Sequence, residues 1–139
     1  YSTDHDDFFE ALREEHHGSM VIEPRHISWA SSTALNMLKK VGMEVVTADP
    51  PVIGERFAPA FPSALRYFRL HGSPVMYRSS YDGADLQALG AQALKGTGSI
   101  TETYVIFDNT ASGAAAGNAL DLMRILSGRG IPLLKGSAG

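Results

Sequence analysis

Hydrophobic residues recur in two rhythms along the chain, and the rhythms alternate. Residues 3–17, "TDHDDFFEALREEHH", place Phe8, Phe9 and Leu12 in a narrow stripe at helical spacing, with Thr3 or Asp4 as cap and Gly18 as terminator. "MVIEP" (20–24) is a short apolar run stopped by Pro24, which predicts a strand. Residues 29–41 return to the helical period, with Ala34, Leu35, Leu38 and Val41 on one face, Ser28 as candidate cap and Gly42 as terminator. "EVVTAD" (44–49) predicts a second strand, ended by Pro50 and Pro51. Residues 50–64 carry four prolines and no period, which predicts a long irregular loop. "LRYFRLHG" (65–72) predicts a third strand. Asp82 then caps a helix to about residue 94, with Leu86, Leu89 and Ala93 inward. After the turn "GTGS", residues 101–109 predict a fourth strand and 112–128 a last helix. Residues 129–139 are expected to fray.

The order is one helix followed by repeated βα units over four strands, with the 50–64 loop in place of a helix after the second strand, and no hairpin signal. The strands are near-continuous apolar runs, as in parallel sheets covered on both faces. The expected class is α/β with a parallel sheet in one domain. Right-handed crossovers then bring every strand C-terminus to one edge. The alternative is an open doubly wound sheet, with its ligand at a reversal of strand order.

That edge collects the chemistry. Strand one ends in Glu23, followed by Arg25, His26 and Trp29; strand two ends in Asp49. Strand three carries Arg69 and His71, two residues apart and so on one face, and strand four ends in Asp108 and Asn109. Ligands bind at this edge in open parallel sheets and in barrels. A structural charge network could equally use any one of these residues; all four strands ending alike favours a site. Tyr77, Arg78 and Tyr81 could close over a planar group or simply anchor a loop. "NTASGAAAGNA" (109–119) could let an anion approach a helix N-terminus near Gly113, or serve close helix packing. Glu23, Asp49, His71 and Asp108 are hard-ligand types suited to a divalent cation, although no HExxH or HxH spacing supports one. His16 and His17 read as a helix C-cap.

Composition narrows the picture. The 139 residues carry a net charge of −3 and no cysteine. Disulfides, thiolate metal sites and a cysteine nucleophile are therefore excluded. The charge offers no general attraction to nucleic acid or to an anionic membrane, so a phosphodiester substrate is only weakly supported. There is no GxSxG and no P-loop lysine. No apolar run reaches the roughly 20 residues of a membrane helix. A reducing, cytoplasmic setting is expected. The chain opens "YSTDHDD" without a methionine, which suggests a processed or partial chain.

Taken together, "IEPRHISW" (22–29), "FRLHG" (68–72), "YRSSY" (77–81) and "VIFDNTASGAAAGNA" (105–119) resemble the DUF72, or YecE-like, family from about residue 8 onward. The resemblance implies a cytosolic TIM-barrel protein of uncharacterised function. It places the family's polar positions on Glu23, Arg25, His26, Trp29, Asp49, Arg69, His71, Gly72, Tyr77, Tyr81, Asn109, Gly113 and Asn118. Where the family usually has Asn-Asn, this chain has Asp108-Asn109, which adds charge.

A complete barrel takes about 250 residues. The resemblance therefore implies only strands five to eight of a (β/α)8 barrel, and association with itself or with an N-terminal half. The expected chemistry is acid/base hydrolysis or isomerisation of a small phosphate- or carboxylate-bearing substrate. Glu23, Asp49, His71 and Asn109 would be the catalytic candidates. Arg25, His26, Trp29, Arg69, Gly72, Tyr77, Arg78, Tyr81, Gly113 and Asn118 would bind. A non-catalytic binding module and an inactive fragment are the rivals. No cofactor is identified beyond the candidate cation.

Overall fold

The structure, a computed structural model, describes residues 2, 4–95 and 102–130. Four α-helices and five short strands follow the expected order: α1 (Asp4–Glu15), β1 (Met20–Ile22), α2 (Ser32–Lys40), β2 (Met43–Val45), β3 (Thr47–Asp49), β4 (Leu65–Leu70), α3 (Gly83–Leu94), β5 (Glu102–Phe107) and α4 (Ala114–Gly128). The side chains of Thr3 and Asp4, the turn over 96–99 and the tail from 131 lie outside the described residues.

All pairings are parallel, and neighbours in space are neighbours in sequence: β1 with β2, then β3 with β4 and β4 with β5. No strand-order reversal occurs among the described strands, which fits a partial barrel better than a doubly wound sheet. The single strand expected over 44–49 is two segments. Val46 still donates to the Ile22 carbonyl at 2.8 Å, and from Thr47 onward the chain pairs with β4 instead. One extended run thus hands over from one neighbour to the next.

Alternation gives the sheet two unlike faces. Phe68 and Leu70, with Val105 and Phe107, pack on Leu86, Leu89 and Leu122 of α3 and α4. Met43 and Val45 pack on Leu38 of α2 and on Val41 just after it, with Phe9 of α1. The opposite face carries Tyr67, Arg69, Tyr104 and Ile106, and on β5 it is open, with Tyr104 45% exposed. The expectation of cover on both faces therefore fails there, because no described element packs over it. Only one of the three residues of the α1 stripe is core: Phe9 is buried, while Phe8 and Leu12 are exposed.

Caps explain the connections. Ser31, not Ser28, caps α2, accepting from the Ala34 amide at 3.2 Å. The Ser28 amide is already taken by His26 Nδ1 at 3.1 Å, which caps a single 3-10 turn over Ile27–Ala30. Asp82 caps α3 as expected, accepting from the Asp85 amide at 2.9 Å. Arg13 ties α1 to the end of α2 through the Val41 carbonyl at 2.6 Å and the Gly42 carbonyl at 2.8 Å. No helix among the described residues is long and apolar enough to cross a membrane.

Candidate functional site

Parity along the strands decides which polar ends meet. Arg69 and His71 alternate with Phe68 and Leu70, so both point away from α3 and α4. Glu23 follows Ile22, and Asp108 follows Phe107, in the same phase. Four side chains from three strand ends therefore converge. Arg69 Nη1 donates to Glu23 Oε2 at 2.5 Å, and its Nε donates to Asp108 Oδ2 at 2.8 Å. His71 Nε2 lies 2.8 Å from Glu23 Oε1. Arg25 Nη2 reaches the same oxygen at 3.1 Å, with its side chain still 58% exposed.

Glu23 feels two opposed effects. Burial raises its pKa, but hydrogen bonds from His71 and Arg69, with the charges of Arg69 and Arg25, outweigh it and hold the carboxyl below its usual range. An ionised carboxylate only accepts, so the ring proton facing Glu23 belongs to Nε2. His71 is 2% exposed. Its Nδ1 has no hydrogen-bond partner, although Asp108 Oδ2 stands 3.3 Å away off the hydrogen-bond direction. Arg69 is itself raised: burial lowers it, and the bonds to Glu23 and Asp108 more than reverse that.

Asp49 does not join this cluster. Its register partner is Leu70, so it faces the helix side. There it is gripped by Arg56, with Nε to Oδ1 at 2.8 Å and Nη2 to Oδ2 at 3.2 Å; Arg56 also reaches Asp85. The hydrogen bond to Asp49 is the main reason the Arg56 guanidinium is pushed up. The expected cation set of Glu23, Asp49, His71 and Asp108 is thus broken. One member faces away, and Arg69 stands between two of the others. Among the described residues no three His, Asp or Glu side chains are placed to hold a metal ion. Arg56 was invisible as a partner, since it sits in the aperiodic 50–64 loop and meets Asp49 only in three dimensions.

Asn109, Asn118, Tyr81 and Gly72 form a buried scaffold behind the cluster. Asn118 Oδ1 accepts from the Tyr81 amide at 3.1 Å and from Asn109 Nδ2 at 2.8 Å, while Asn118 Nδ2 donates to the Tyr81 carbonyl at 2.8 Å. Asn109 Nδ2 also donates to the Ser79 carbonyl at 3.0 Å. The Gly72 amide donates to the Tyr81 hydroxyl at 2.8 Å. Burial, followed by the hydrogen bond to Asp49, raises that phenol. Gly72 has φ +94, and a Cβ there would lie 3.0 Å from the Ser79 carbonyl oxygen, so only glycine fits without strain. The loop from Ser73 to Ser80 is thereby folded back onto β4. Its Tyr77 adopts φ +64 and sets its ring edge-on to His71, centroids 5.7 Å apart.

The remaining candidates spread around the rim. Arg78 is exposed and makes no ion pair among the described residues. Its carbonyl accepts from the Ser112 hydroxyl, which brings it beside the start of α4. Gly113, at φ +75, begins that helix with no side-chain cap. His26 is the exposed cap of the 3-10 turn. Trp29 packs away from the cluster, on Phe9 at 6.0 Å and His5 at 5.5 Å between ring centroids.

Against known proteins, the family described as "Protein of unknown function DUF72" matches residues 3–137, and the chain belongs to that family. A DUF72 family protein of Thermotoga maritima MSB8 is similar in crystal structure at 27% identity and a TM-score of 0.77, over 91% of this chain and 53% of that one. A DUF72 family protein of Enterococcus faecalis V583 shares the fold in two crystal structures. One matches at 20% identity and a TM-score of 0.74, the other at 22% and 0.71, each over 91% of this chain and over 54% and 56% of theirs. The chain thus spans about half the length of the solved relatives it matches. No curated protein matches it.

Proposed function

We propose that this DUF72 chain supplies strands five to eight of a TIM-type (β/α)8 barrel, and that the Glu23–Arg69–His71–Asp108 cluster stands at its C-terminal mouth. Consecutive parallel strands, an open inner face on β5 and relatives of about twice the length support this reading. The unpaired strand edges would be closed by a second copy or by an N-terminal half. Light scattering on this chain, of 14.9 kDa, should then return at least twice the monomer mass. A stable monomer with one cooperative unfolding transition would refute the open-edge argument.

At that mouth the substrate is a small molecule bearing phosphate or carboxylate. Arg25, Arg78 and the uncapped start of α4 receive the anion. Glu23 and His71 move a proton in a hydrolysis or isomerisation. One observation carries the proposal: His71 is bonded to an ionised Glu23 through Nε2 and keeps a buried Nδ1 with no hydrogen-bond partner. A ring held through Nε2 by a carboxylate, with an Nδ1 that is not hydrogen-bonded beside Asp108, is arranged as a base.

Inorganic phosphate is the first probe. Amide resonances of Arg78 and residues 113–115 should shift saturably, and Arg78→Ala should weaken the binding roughly tenfold, as expected for one charge-assisted contact. On a panel of phosphate monoesters, His71→Asn should remove turnover while phosphate still binds. Loss of affinity with no turnover in the parent would favour the non-catalytic binding module, which the closure of His71 from solvent also favours. Absence of any phosphate or carboxylate binding would sink both.

A further inference from the structure

Glu44 takes no part in the mouth. It lies near the N-terminal end of β2, between two core residues, and points to the face opposite α2. It is 4% exposed, yet Oε2 makes no hydrogen bond. Buried carboxylates are rare without a partner, and an unsatisfied buried acceptor costs roughly 1–3 kcal/mol. Among the described residues no cation comes within ion-pair distance of it. Lys39 places its Nζ over the Phe61 ring, 5.0 Å from the centroid, and Arg66 donates to the Gln92 carbonyl. Burial raises the Glu44 pKa; the Ser63 hydroxyl, the Val45 backbone and the more distant charge of Arg66 offset only part of that.

Beside Glu44 the chain leaves a cavity of about 380 Å³, at the opposite end of the strands from the mouth. Met20, Met43, Phe61 and Leu65 form its apolar wall, and Ser19, Ser63 and Lys39 are its other polar side chains. That volume is within the usual range of small-ligand pockets, about 300–1,000 Å³, and an apolar wall with few polar groups is their usual character.

We infer that this cavity is a second ligand site, for a small primary amine with an apolar body, whose ammonium pairs with the free oxygen of Glu44. The apolar part fills the space between Phe61 and the two methionines. The ammonium supplies the charge and the donor that the fold withholds from Glu44. The site is independent of the mouth: its lining comes from the starts of β1, β2 and β4 and from the 61–65 segment.

Benzylamine is a suitable probe, titrated into the full chain while backbone amides are followed by NMR. Saturable shifts are expected at residues 42–45 and 63–65 and not at residues 71–78. Glu44→Leu should abolish them without loss of thermal stability, because an apolar side chain removes the unpaired carboxylate. Glu44→Gln keeps the shape and should weaken binding at least roughly tenfold, since a charge-assisted contact becomes a neutral one. No saturable shift in the parent, equal shifts in Glu44→Gln, or equally tight binding of benzyl alcohol would each overturn the assignment.

Discussion

Replacing Asn118 with alanine is expected to cost about 3–5 kcal/mol, which is a large share of the 5–15 kcal/mol typical of a folded domain. Asn118 is a helix residue, but its amide works for the loop. It serves the Tyr81 amide, the Tyr81 carbonyl and Asn109 Nδ2, all in the buried region behind β4. Truncation takes this partner from the buried Tyr81 amide and carbonyl and leaves Asn109 Nδ2 with only the Ser79 carbonyl. Each buried group left unpaired costs roughly 1–3 kcal/mol, and the lost side-chain packing adds to it. The damage should also travel. Tyr81 holds the Gly72 amide, and the Ser73–Ser80 segment sets Tyr77 against His71. The variant should therefore show a lower thermal midpoint and fast hydrogen exchange at the amides of Gly72 and Tyr81, with the α3 interior less affected. An unfolding free energy within about 1 kcal/mol of the parent would mean that water replaces the amide and that the loop does not depend on it.

Arg69→Leu should cost about 2 kcal/mol near neutral pH and change how stability depends on acid. Breaking a buried ion pair costs roughly 3–5 kcal/mol, and the figure is reduced here because the Arg69 side chain is 34% exposed. The substitution leaves Glu23 and Asp108 facing each other without the guanidinium between them.

The sign of the pH effect follows from Glu23. Its pKa in the fold is lowered from 4.5, because hydrogen bonds from His71 and Arg69 outweigh the burial that raises it. A lowered carboxyl contributes stability that is present at and above about pH 4.5 and is lost as the pH falls below that. Removing Arg69 removes part of the lowering, so the variant should lose less stability between about pH 5 and pH 3 than the parent does. Glu23→Gln should flatten the same limb. Thermal midpoints across that range decide the matter: an acid limb as steep in both variants as in the parent would show that Glu23 is not the group being titrated.

Much of the fold was legible in the chain because local rules and packing agree. The helical period in 29–41 and 82–94, the cap at Asp82 and the proline stops after β1 and β3 all act within a few residues. The α/β order and the parallel winding follow from them. The convergence of Glu23, Arg69, His71 and Asp108 was also legible, since alternation along a strand and the common direction of parallel strands are periodic facts. The family resemblance rested on something else, the short motif strings themselves, and the family match over residues 3–137 agrees with it.

What needed the tertiary structure is what depends on partners distant in sequence. Asp49 has the same strand-end position as Glu23, but its register partner is Leu70 and Arg56 claims it from a loop with no period. Asn109 and Asn118 look like site residues in a list; in three dimensions their amides close a hydrogen-bond scaffold under the loop. Ser31 displaces Ser28 as a cap because Ser28 lies inside the 3-10 turn, with its hydroxyl beside His26 Nδ1, while Ser31 immediately precedes the helix. Sequence alone determined the elements, their direction and the polar ends of the strands, because those are set by local periodicity. Which polar group meets which was decided only by packing, because a hydrogen bond is directional and each donor and acceptor can be satisfied only where the fold delivers its partner.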